Sequence, residues 1–270
     1  MQNIHRLLTI GCVLIGLMVL VSTVSAFFSP SIQAALTMPT RQGAPANMVV
    51  ATQQPAMKGT TSAFMPPATT VPSPTAMQTS TLARDTFQRN DQRFWGTASD
   101  GQTWNGNANN AANFTIAGQA GMIANGPGAF DSTLGPQSSN AEVVFSGSLS
   151  LFSNGNSNIG SILRWTDDNN WYKAYLDGAQ LILLKKVAGN LTRLQAVVFP
   201  AQNGKDYTVR FRVVGPMLAA KAWLTGQAEP TKWMVMANDM ALSSGFGGLR
   251  VVIQNGVVAR IHMFVETGAI

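Results

Sequence analysis

Residues 158–223 read NIGSILRWTDDNNWYKAYLDGAQLILLKKVAGNLTRLQAVVFPAQNGKDYTVRFRVVGPMLAAKAW. Short runs rich in Val, Ile, Leu, Trp and Tyr alternate here with turn-forming residues. The turns fall at Thr166–Asn170, Asp177–Gly178, Gly189–Asn190, Asn203–Asp206 and Gly215–Pro216. Strands of this composition, separated by turns roughly every 8–12 residues, are typical of an all-β sandwich or barrel. The stretch therefore predicts an all-β domain, and no convincing long amphipathic helix follows residue 30.

Charge and cysteine content restrict what the chain can bind. Charged residues make up only 11% of the sequence, against the roughly 25% usual for a soluble domain. Residues 84–270 contain fifteen Lys and Arg and twelve Asp and Glu, so their net charge is +3. This small charge argues against a nucleic-acid partner, which needs a clustered basic surface. The only cysteine, Cys12, precedes this region, which therefore can form no disulfide and no thiolate metal site.

The first 28 residues form a hydrophobic segment. His5 and Arg6 precede a run of 22 uncharged residues, Leu7–Phe28. Such a run fits a cleaved signal peptide or an uncleaved helical membrane anchor, and both alternatives stay open. Because the basic flank precedes the run, either alternative exports the remaining chain. The expected location is therefore extracellular or at the cell surface, with the membrane as a partner only if the segment stays uncleaved.

Residues 29–83 differ sharply in composition from the rest of the chain. They contain eight of the 13 prolines, together with many Thr, Ala, Gln and Met residues. A segment of this kind cannot bury enough apolar surface to offset its ordering entropy. We therefore expect a disordered linker over residues 29–83 and a single folded domain over residues 84–270.

Five phrases in the folded region point to a family. They are RDTFQR (84–89), WGTASDGQTW (95–104), ILRWTDDNNWYKAYLDG (162–178), RFRVVGPMLAAKAWLTGQAEPTKW (210–233) and GFGGLRVVIQNGVVARIHMFV (245–265). In this order they resemble a bacterial family of concanavalin A-like or laminin-G-like jelly-roll domains. The resemblance implies a sandwich of two antiparallel sheets. It also implies an extracellular module associated with glycan binding or with glycan-degrading enzymes.

The same resemblance raises the question of a structural calcium ion. Members of the family often end in a strand of the type F-D-N-F, whose Asp can ligate calcium together with an Asp of the opening strand. Asp85 is present here, but His262 stands at the closing position. Neutral imidazole is a poor ligand for a hard cation that prefers oxygen. A calcium ion at Asp85 is therefore expected only if backbone carbonyls supply the missing ligands, and no other cofactor is expected.

Two predicted strands, 207–214 and 217–223, suggest a ligand groove. Side chains alternate between the two faces of a strand, so Arg210 and Arg212 oppose the apolar set, as do Lys221 and Trp223. A ring can stack on the C–H face of a sugar while cationic groups bond its hydroxyls. The predicted carbohydrate site comprises Arg164, Tyr172, Arg210, Arg212, Lys221 and Trp223. Alternatively, these long side chains simply cover an exposed sheet face.

The loop between residues 165 and 171 is a second candidate. Asp167, Asp168, Asn170 and Trp171 could bind a sugar edge or a cation, or the loop could be a hairpin connection built on Asx turns. We also expect Asn255-Gly256 to form a tight hairpin between two strands. Two other tryptophans, at 95 and 104, are expected to pack over one end of the sandwich.

The sequence offers little for catalysis. A retaining glycosidase needs two carboxylates about 5 Å apart, and none of Glu142, Glu229 and Glu266 has an acidic residue two or four positions later. A Ser-His-Asp triad would depend on His262 alone. We therefore predict a non-catalytic carbohydrate-binding module for a polysaccharide or a cell-envelope glycan. A structural or adhesion protein of the cell envelope is the alternative, and a glycoside hydrolase-like enzyme is the least favoured.

Overall fold

The computed structural model describes residues 80–270. The predicted export segment and all but the last residues of the predicted linker lie outside the described residues. Within residues 80–270, no helix is long and apolar enough to cross a membrane. The regular structure of this part of the chain consists of sixteen strands and two short 3-10 turns, Asn107–Asn109 and Ser153–Gly155. The prediction of an all-β domain is thus confirmed.

The strands range in length from two to ten residues. They are β1 (Thr81–Asp85), β2 (Gln92–Arg93), β3 (Asn105–Gly106), β4 (Phe114–Ile116), β5 (Gly121–Ile123), β6 (Gly128–Thr133), β7 (Ala141–Leu149), β8 (Asn158–Asp167), β9 (Asn170–Leu176), β10 (Gln180–Val187), β11 (Asn190–Val198), β12 (Tyr207–Val214), β13 (Met217–Leu224), β14 (Val235–Asn238), β15 (Phe246–Ile253) and β16 (Ala259–Gly268). The first strand begins at Thr81, three residues before the predicted start of the domain.

These strands form two antiparallel sheets. The nine-stranded sheet has the order β14-β13-β12-β7-β16-β5-β4-β2, and β1 pairs with β16 beside this path. The seven-stranded sheet has the order β11-β10-β9-β8-β15-β6-β3. The apolar faces of both sheets contribute to one buried core. This is the predicted sandwich of two antiparallel sheets.

Most of the predicted turns join neighbouring strands. Gly178 and Gly189 adopt φ values of +98° and +81° in the β9–β10 and β10–β11 turns, a region that glycine enters without steric cost. The turns at 166–170 and 215–216 likewise connect paired strands. The segment 203–206 instead carries the chain from the seven-stranded sheet to the nine-stranded one.

The predicted hairpin at Asn255-Gly256 is wrong. β15 pairs with β6 and β8, whereas β16 pairs with β1, β5 and β7, so the two strands lie in different sheets. Both strands have an apolar face, and the structure buries those faces against each other across the core instead of side by side. The five residues between Ile253 and Ala259 form an arch, because a two-residue hairpin turn could not cross between the layers.

An aromatic cluster fills one region of the core. Trp95 and Trp104 are fully buried, with ring centroids 4.9 Å apart in an edge-to-face arrangement. The ring centroid of Phe114 lies 4.8 Å from that of Trp95, and the centroid of Phe264 lies 5.1 Å from that of Trp104. Edge-to-face pairs add about 0.5–1.5 kcal/mol beyond burial of the ring area. The packing role predicted for both tryptophans is confirmed.

Candidate functional site

The predicted groove residues of β12 and β13 do share a face. Val209 and Phe211 lie in the core, while Arg210 stands directly opposite Lys221 on the other face. Trp223 lies two pairs further along and therefore on the same face, opposite Thr208. This outer face of the nine-stranded sheet, hereafter the nine-stranded face, therefore has the alternation that the sequence predicts.

Two of the three cations predicted for the nine-stranded face, Arg210 and Lys221, are bonded to acidic residues. Arg210 forms ion pairs with Glu142 and with Glu229, the latter at 2.7 Å. Lys221 lies 2.7 Å from Glu229 and donates to the carbonyl oxygen of Pro230 at 2.7 Å. Burial alone would raise the pKa of Glu229, but the bonds from Lys221 and Arg210 hold it below its usual value. Arg210 and Lys221 are thus occupied by acidic partners, whereas Arg212 donates to the backbone carbonyl oxygen of Ile270.

Two residues of the predicted groove, Arg164 and Tyr172, lie elsewhere. They belong to β8 and β9 of the seven-stranded sheet, and Tyr172 is fully buried in the core. A register shift between Leu163 and Asp167, with Arg164 at a φ of +51°, interrupts the strand alternation. Arg164 is 5% exposed and donates to three loop carbonyls. Neither residue extends the nine-stranded face, because their strands pair with β10 and β15 and not with β12.

The loop after β8 forms a hairpin stabilised by its own side chains. The Asp167 carboxylate accepts the backbone N–H of Asn169 at 2.7 Å and the side-chain amide of Asn170 at 3.0 Å. The hydrogen bond from the Asn170 side chain, followed by that from Asn169, lowers the pKa of Asp167. Asp168 is exposed, and its carbonyl oxygen accepts the indole N–H of Trp171 at 3.1 Å. These are the bonds of an Asx-turn hairpin, which was the alternative interpretation of this loop.

The surroundings of Asp85 do not fit a calcium ion. Its buried carboxylate accepts the Trp104 indole N–H at 2.7 Å, the Arg89 guanidinium at 2.8 and 3.0 Å, and the backbone N–H groups of Phe87 and Ser99. Calcium requires six to eight oxygen ligands, whereas these neighbours are all N–H donors. Among residues 80–270, no group of three or more His, Cys, Asp and Glu is placed to hold a metal.

His262 does not replace the missing calcium ligand. It lies at a register shift in β16, and its ring nitrogen is 3.2 Å from Asp206. Both side chains are about two-fifths exposed, at 40% and 43%. The Asp85 carboxylate is instead neutralised by Arg89, four residues along the chain.

A cleft that the sequence interpretation missed lies on the outer face of the seven-stranded sheet, hereafter the seven-stranded face. Along β9, Tyr172, Ala174 and Leu176 are part of the core, so the alternate residues point outward. The cleft has a volume of about 250 Å³. It is lined by Asn158, Trp171, Lys173, Tyr175, Leu184, Lys186, Leu191, Arg250 and Val252.

Lys173 is one of the polar side chains that line this cleft. It is 2% exposed, its ammonium group donates to the side-chain oxygen of Asn158, and it lies 4.6 Å from the ring centroid of Tyr175. Burial holds the pKa of Lys173 well below its usual value, and the positive charge of Arg250 acts in the same direction. The cleft thus contains a buried amine between an amide and a phenol ring.

Arg250 forms the other side of the cleft. Its guanidinium is paired with Asp131 on the neighbouring β6 and lies 4.8 Å from the ring centroid of Trp171. Burial raises the pKa of Asp131, although the pairing with Arg250 opposes that shift. Gly160 separates Arg250 from Tyr175 across the sheet. A Cβ at Gly160 would lie 2.5 Å from the Cβ of Tyr175, so glycine lets β8 and β9 approach closely at this point.

The signal that could have located the cleft is the WYKAY segment, residues 171–175. Trp171, Lys173 and Tyr175 alternate there with Tyr172 and Ala174, but both sets are largely apolar. Composition alone does not say which set faces the core. The decision depends on strand pairing with β15, which brings Arg250 beside residues far earlier in the chain.

Comparisons with known proteins add information on the fold. No family model matches the chain, and no curated protein matches it. The carbohydrate-binding module CBM66 from Bacillus subtilis is similar in structure, with a TM-score of 0.50 and 14% sequence identity, covering 61% of this chain and 95% of the module. The likeness is one of fold. It supports the concanavalin A-like sandwich implied by the sequence.

Two longer proteins share the same fold in part of their length. A xylan beta-1,4-xylosidase from Bacillus halodurans has a TM-score of 0.51 at 13% identity, covering 68% of this chain and 39% of the enzyme. The GH43 protein BlXynB from Bacillus licheniformis has a TM-score of 0.53 at 11% identity, covering 69% of this chain and 39% of that protein. The chain thus spans about two-fifths of either one.

Proposed function

We propose that the protein is a non-catalytic carbohydrate-binding module that receives a polysaccharide or a cell-envelope glycan in the cleft of the seven-stranded face. The observation that carries this proposal is the grouping of two aromatic rings with an amine, an amide and a guanidinium. Those groups belong to Trp171, Tyr175, Lys173, Asn158 and Arg250. The similarity in fold to a carbohydrate-binding module supports the same class of function.

The chemistry of the cleft suits a sugar. Tyr175 is partly exposed, so one face of its ring is available to stack on sugar C–H groups. Lys186 lies at the rim and can donate to hydroxyls, and the Asn158 side chain has further hydrogen-bonding capacity. Leu191, at 62% exposed, adds an apolar edge. Rings for contact area and a few polar groups for orientation are the usual division of labour in a small-ligand site.

Export to the cell surface is part of the proposal. It is supported by the apolar run over residues 7–28 and the proline-rich segment after it. Intact mass of the protein recovered outside the cytoplasm tests it: loss of the first 25 or so residues indicates a cleaved signal. Retention of the full chain in the membrane fraction indicates an anchor, and recovery only in the cytoplasm contradicts export.

The absence of catalysis is also proposed. The carboxylate of Asp131, which neighbours the cleft through Arg250, is occupied by that ion pair. Release of reducing ends from any glycan that the protein retains would contradict a purely binding function. Loss of that release on Asp131→Asn would then assign it to this cleft.

The test of binding compares two aromatic residues on opposite faces of the sandwich. Full-length protein in mild detergent is passed over a panel of immobilised polysaccharides, and the affinity for a retained one is measured by titration. Tyr175→Ala should weaken binding about 2- to 12-fold, since a ring contact is worth about 0.5–1.5 kcal/mol. Trp223→Ala, on the nine-stranded face, is the matched control and should leave affinity unchanged. Loss of binding only in the control would reject the cleft as the site.

A further inference from the structure

A second cavity lies at one end of the sandwich, where loops from both sheets meet. It is formed by the segment before β7, the β12–β13 turn and the segment after β14, and its volume is about 260 Å³. Its lining includes Ser139, Asn140, Arg164, Pro216, Met240 and Ser243. We refer to it as the end pocket. None of its lining residues belongs to the cleft of the seven-stranded face.

Among residues 80–270, Arg164 is the one charged residue that lines the end pocket. It donates to the carbonyl oxygens of Ser139 at 2.9 Å, Leu242 at 2.6 Å and Gly215 at 2.8 Å. A guanidinium carries five N–H groups. These three bonds use one from each nitrogen, which leaves one N–H on each of Nη1 and Nη2.

The buried guanidinium has no counter-ion among residues 80–270. None of the ion pairs in that part of the chain includes Arg164. The neighbouring Asp239 is already occupied, because its carboxylate accepts the Tyr172 hydroxyl at 2.6 Å and pairs with Lys185. A buried charge without a partner is costly, and burial accordingly lowers the pKa of Arg164. An anion in the end pocket would relieve that cost.

The other side chains that line the end pocket within residues 80–270 are apolar or can donate hydrogen bonds. Met240 is 83% exposed at the rim, beside Pro216 and Leu242. The side-chain oxygen of Asn140 accepts the backbone N–H of Gly215 at 2.9 Å, so its NH2 group remains a donor. No acidic residue of the described part of the chain lines the end pocket. One positive charge with apolar walls matches a singly charged anion that has an apolar body.

We propose that the end pocket binds the carboxylate of a small organic acid. The carboxylate accepts the free N–H groups of Arg164, and the apolar part of the ligand contacts Pro216 and Met240. A phosphate or sulfate dianion is less suited, because a single guanidinium leaves half of its charge unpaired. This inference is independent of the glycan cleft, since the two sites have no lining residue in common.

The test titrates the full-length protein with benzoate, with benzamide as the neutral analogue of the same shape and inorganic phosphate as the competing anion. Benzoate should bind at least about tenfold more tightly than either. Met240→Glu places a negative charge at an exposed rim position and should weaken benzoate binding about tenfold or more. Met236→Glu, at a 48% exposed position on β14, is the matched control and should leave it unchanged.

Three results would overturn the proposal. Equal binding of benzoate and benzamide would mean that the end pocket contacts the apolar ring and does not recognise the carboxylate. Tighter binding of phosphate would assign it to a different class of anion. Unchanged benzoate affinity in Met240→Glu would place the ligand elsewhere. Arg164→Lys adds a check on the fork geometry, since lysine keeps the charge but not the paired N–H groups. If that variant does not fold, the Met240 pair still decides.

Discussion

Both outer faces of the sandwich carry aromatic rings and cations, but the two faces differ in how many acidic residues bond those cations. On the nine-stranded face, Arg210 and Lys221 are matched by Glu142 and Glu229, and the cations and acids bond each other. On the seven-stranded face, Lys173 has an amide partner, and Arg250 and Asp131 form the single ion pair near it among the described residues. Rings lie beside both of these cations.

The difference shows that a count of rings and cations does not identify a binding face. The number and position of acidic neighbours decide whether the donors are free. Glu229 comes from the loop after β13, and that loop returns so that Pro230 also bonds Lys221. On the seven-stranded face, no acidic residue within residues 80–270 pairs with Lys173. The polar groups of that face border an open cleft. Breaking these contacts one at a time tests the contrast.

The largest effect is expected from Arg250→Ala. Asp131 would then remain buried without its ion-pair partner, and removing one partner of a buried ion pair costs about 3–5 kcal/mol. The loss should be greatest at neutral and alkaline pH and should shrink in acid, because a protonated Asp131 needs no counter-ion. Urea unfolding of the variant and the wild type between pH 4 and pH 8 measures it.

A double variant separates charge from packing. Asp131→Asn in the Arg250→Ala background removes the uncompensated charge and should recover more than half of the lost stability at pH 7. If the single variant costs less than about 1 kcal/mol, the pair behaves as an exposed one. The contrast between the two faces would then fail.

The sequence was informative where one face of a strand was polar. In β12, charged residues alternate with Val209, Phe211 and Val213, so the core-facing set could be identified before the structure. In β9 both sets contain large rings, so alternation alone could not assign Trp171 and Tyr175 to the outside. The sheet partners decide the assignment, and Arg250 reaches the cleft from a strand that begins 70 residues after β9 ends.

The errors in the sequence interpretation have the same origin. Local turn chemistry predicts that Asn255-Gly256 joins paired strands. It does not reveal that β15 and β16 belong to different layers. The sequence also predicts that Arg164 extends the groove of β12 and β13, because no local pattern reveals the register shift at the end of β8. Turn positions are local properties, whereas the pairing of strands depends on which apolar faces can cover each other.

An effect of intermediate size on the free energy of unfolding is expected from another buried acid, Glu266. It is fully buried between the sheets, with the Ser138 hydroxyl at 3.5 Å as its hydrogen-bond partner, and burial raises its pKa to about 8. The folded state therefore binds the proton more tightly than the unfolded state. Stability should fall as pH rises from about 4.5 to about 8 and level off above, which amounts to about 3 kcal/mol at pH 7.

Glu266→Gln tests this pH dependence. The variant keeps the shape of the side chain without the charge, so it should exceed the wild type in unfolding free energy by about 3 kcal/mol at pH 7 and by little near pH 4. Urea midpoints at both pH values give the comparison. A variant that is less stable than the wild type at pH 7 would mean that the carboxylate is neutralised by a cation and not by a proton.

The smallest effect is expected on the nine-stranded face, from Glu229→Gln. Glu229 is 35% exposed and bonds Arg210 and Lys221 at the surface, so losing its charge should cost less than about 1 kcal/mol. Most of that cost should vanish in about 1 M salt, where surface charges are screened. Glu142→Gln is the matched change at the more buried partner of Arg210, at 14% exposed, and should cost more and depend less on salt. If both variants lose as much unfolding free energy as Arg250→Ala, the ion pairs of the two faces are equivalent. The cleft is then distinguished by its rings alone.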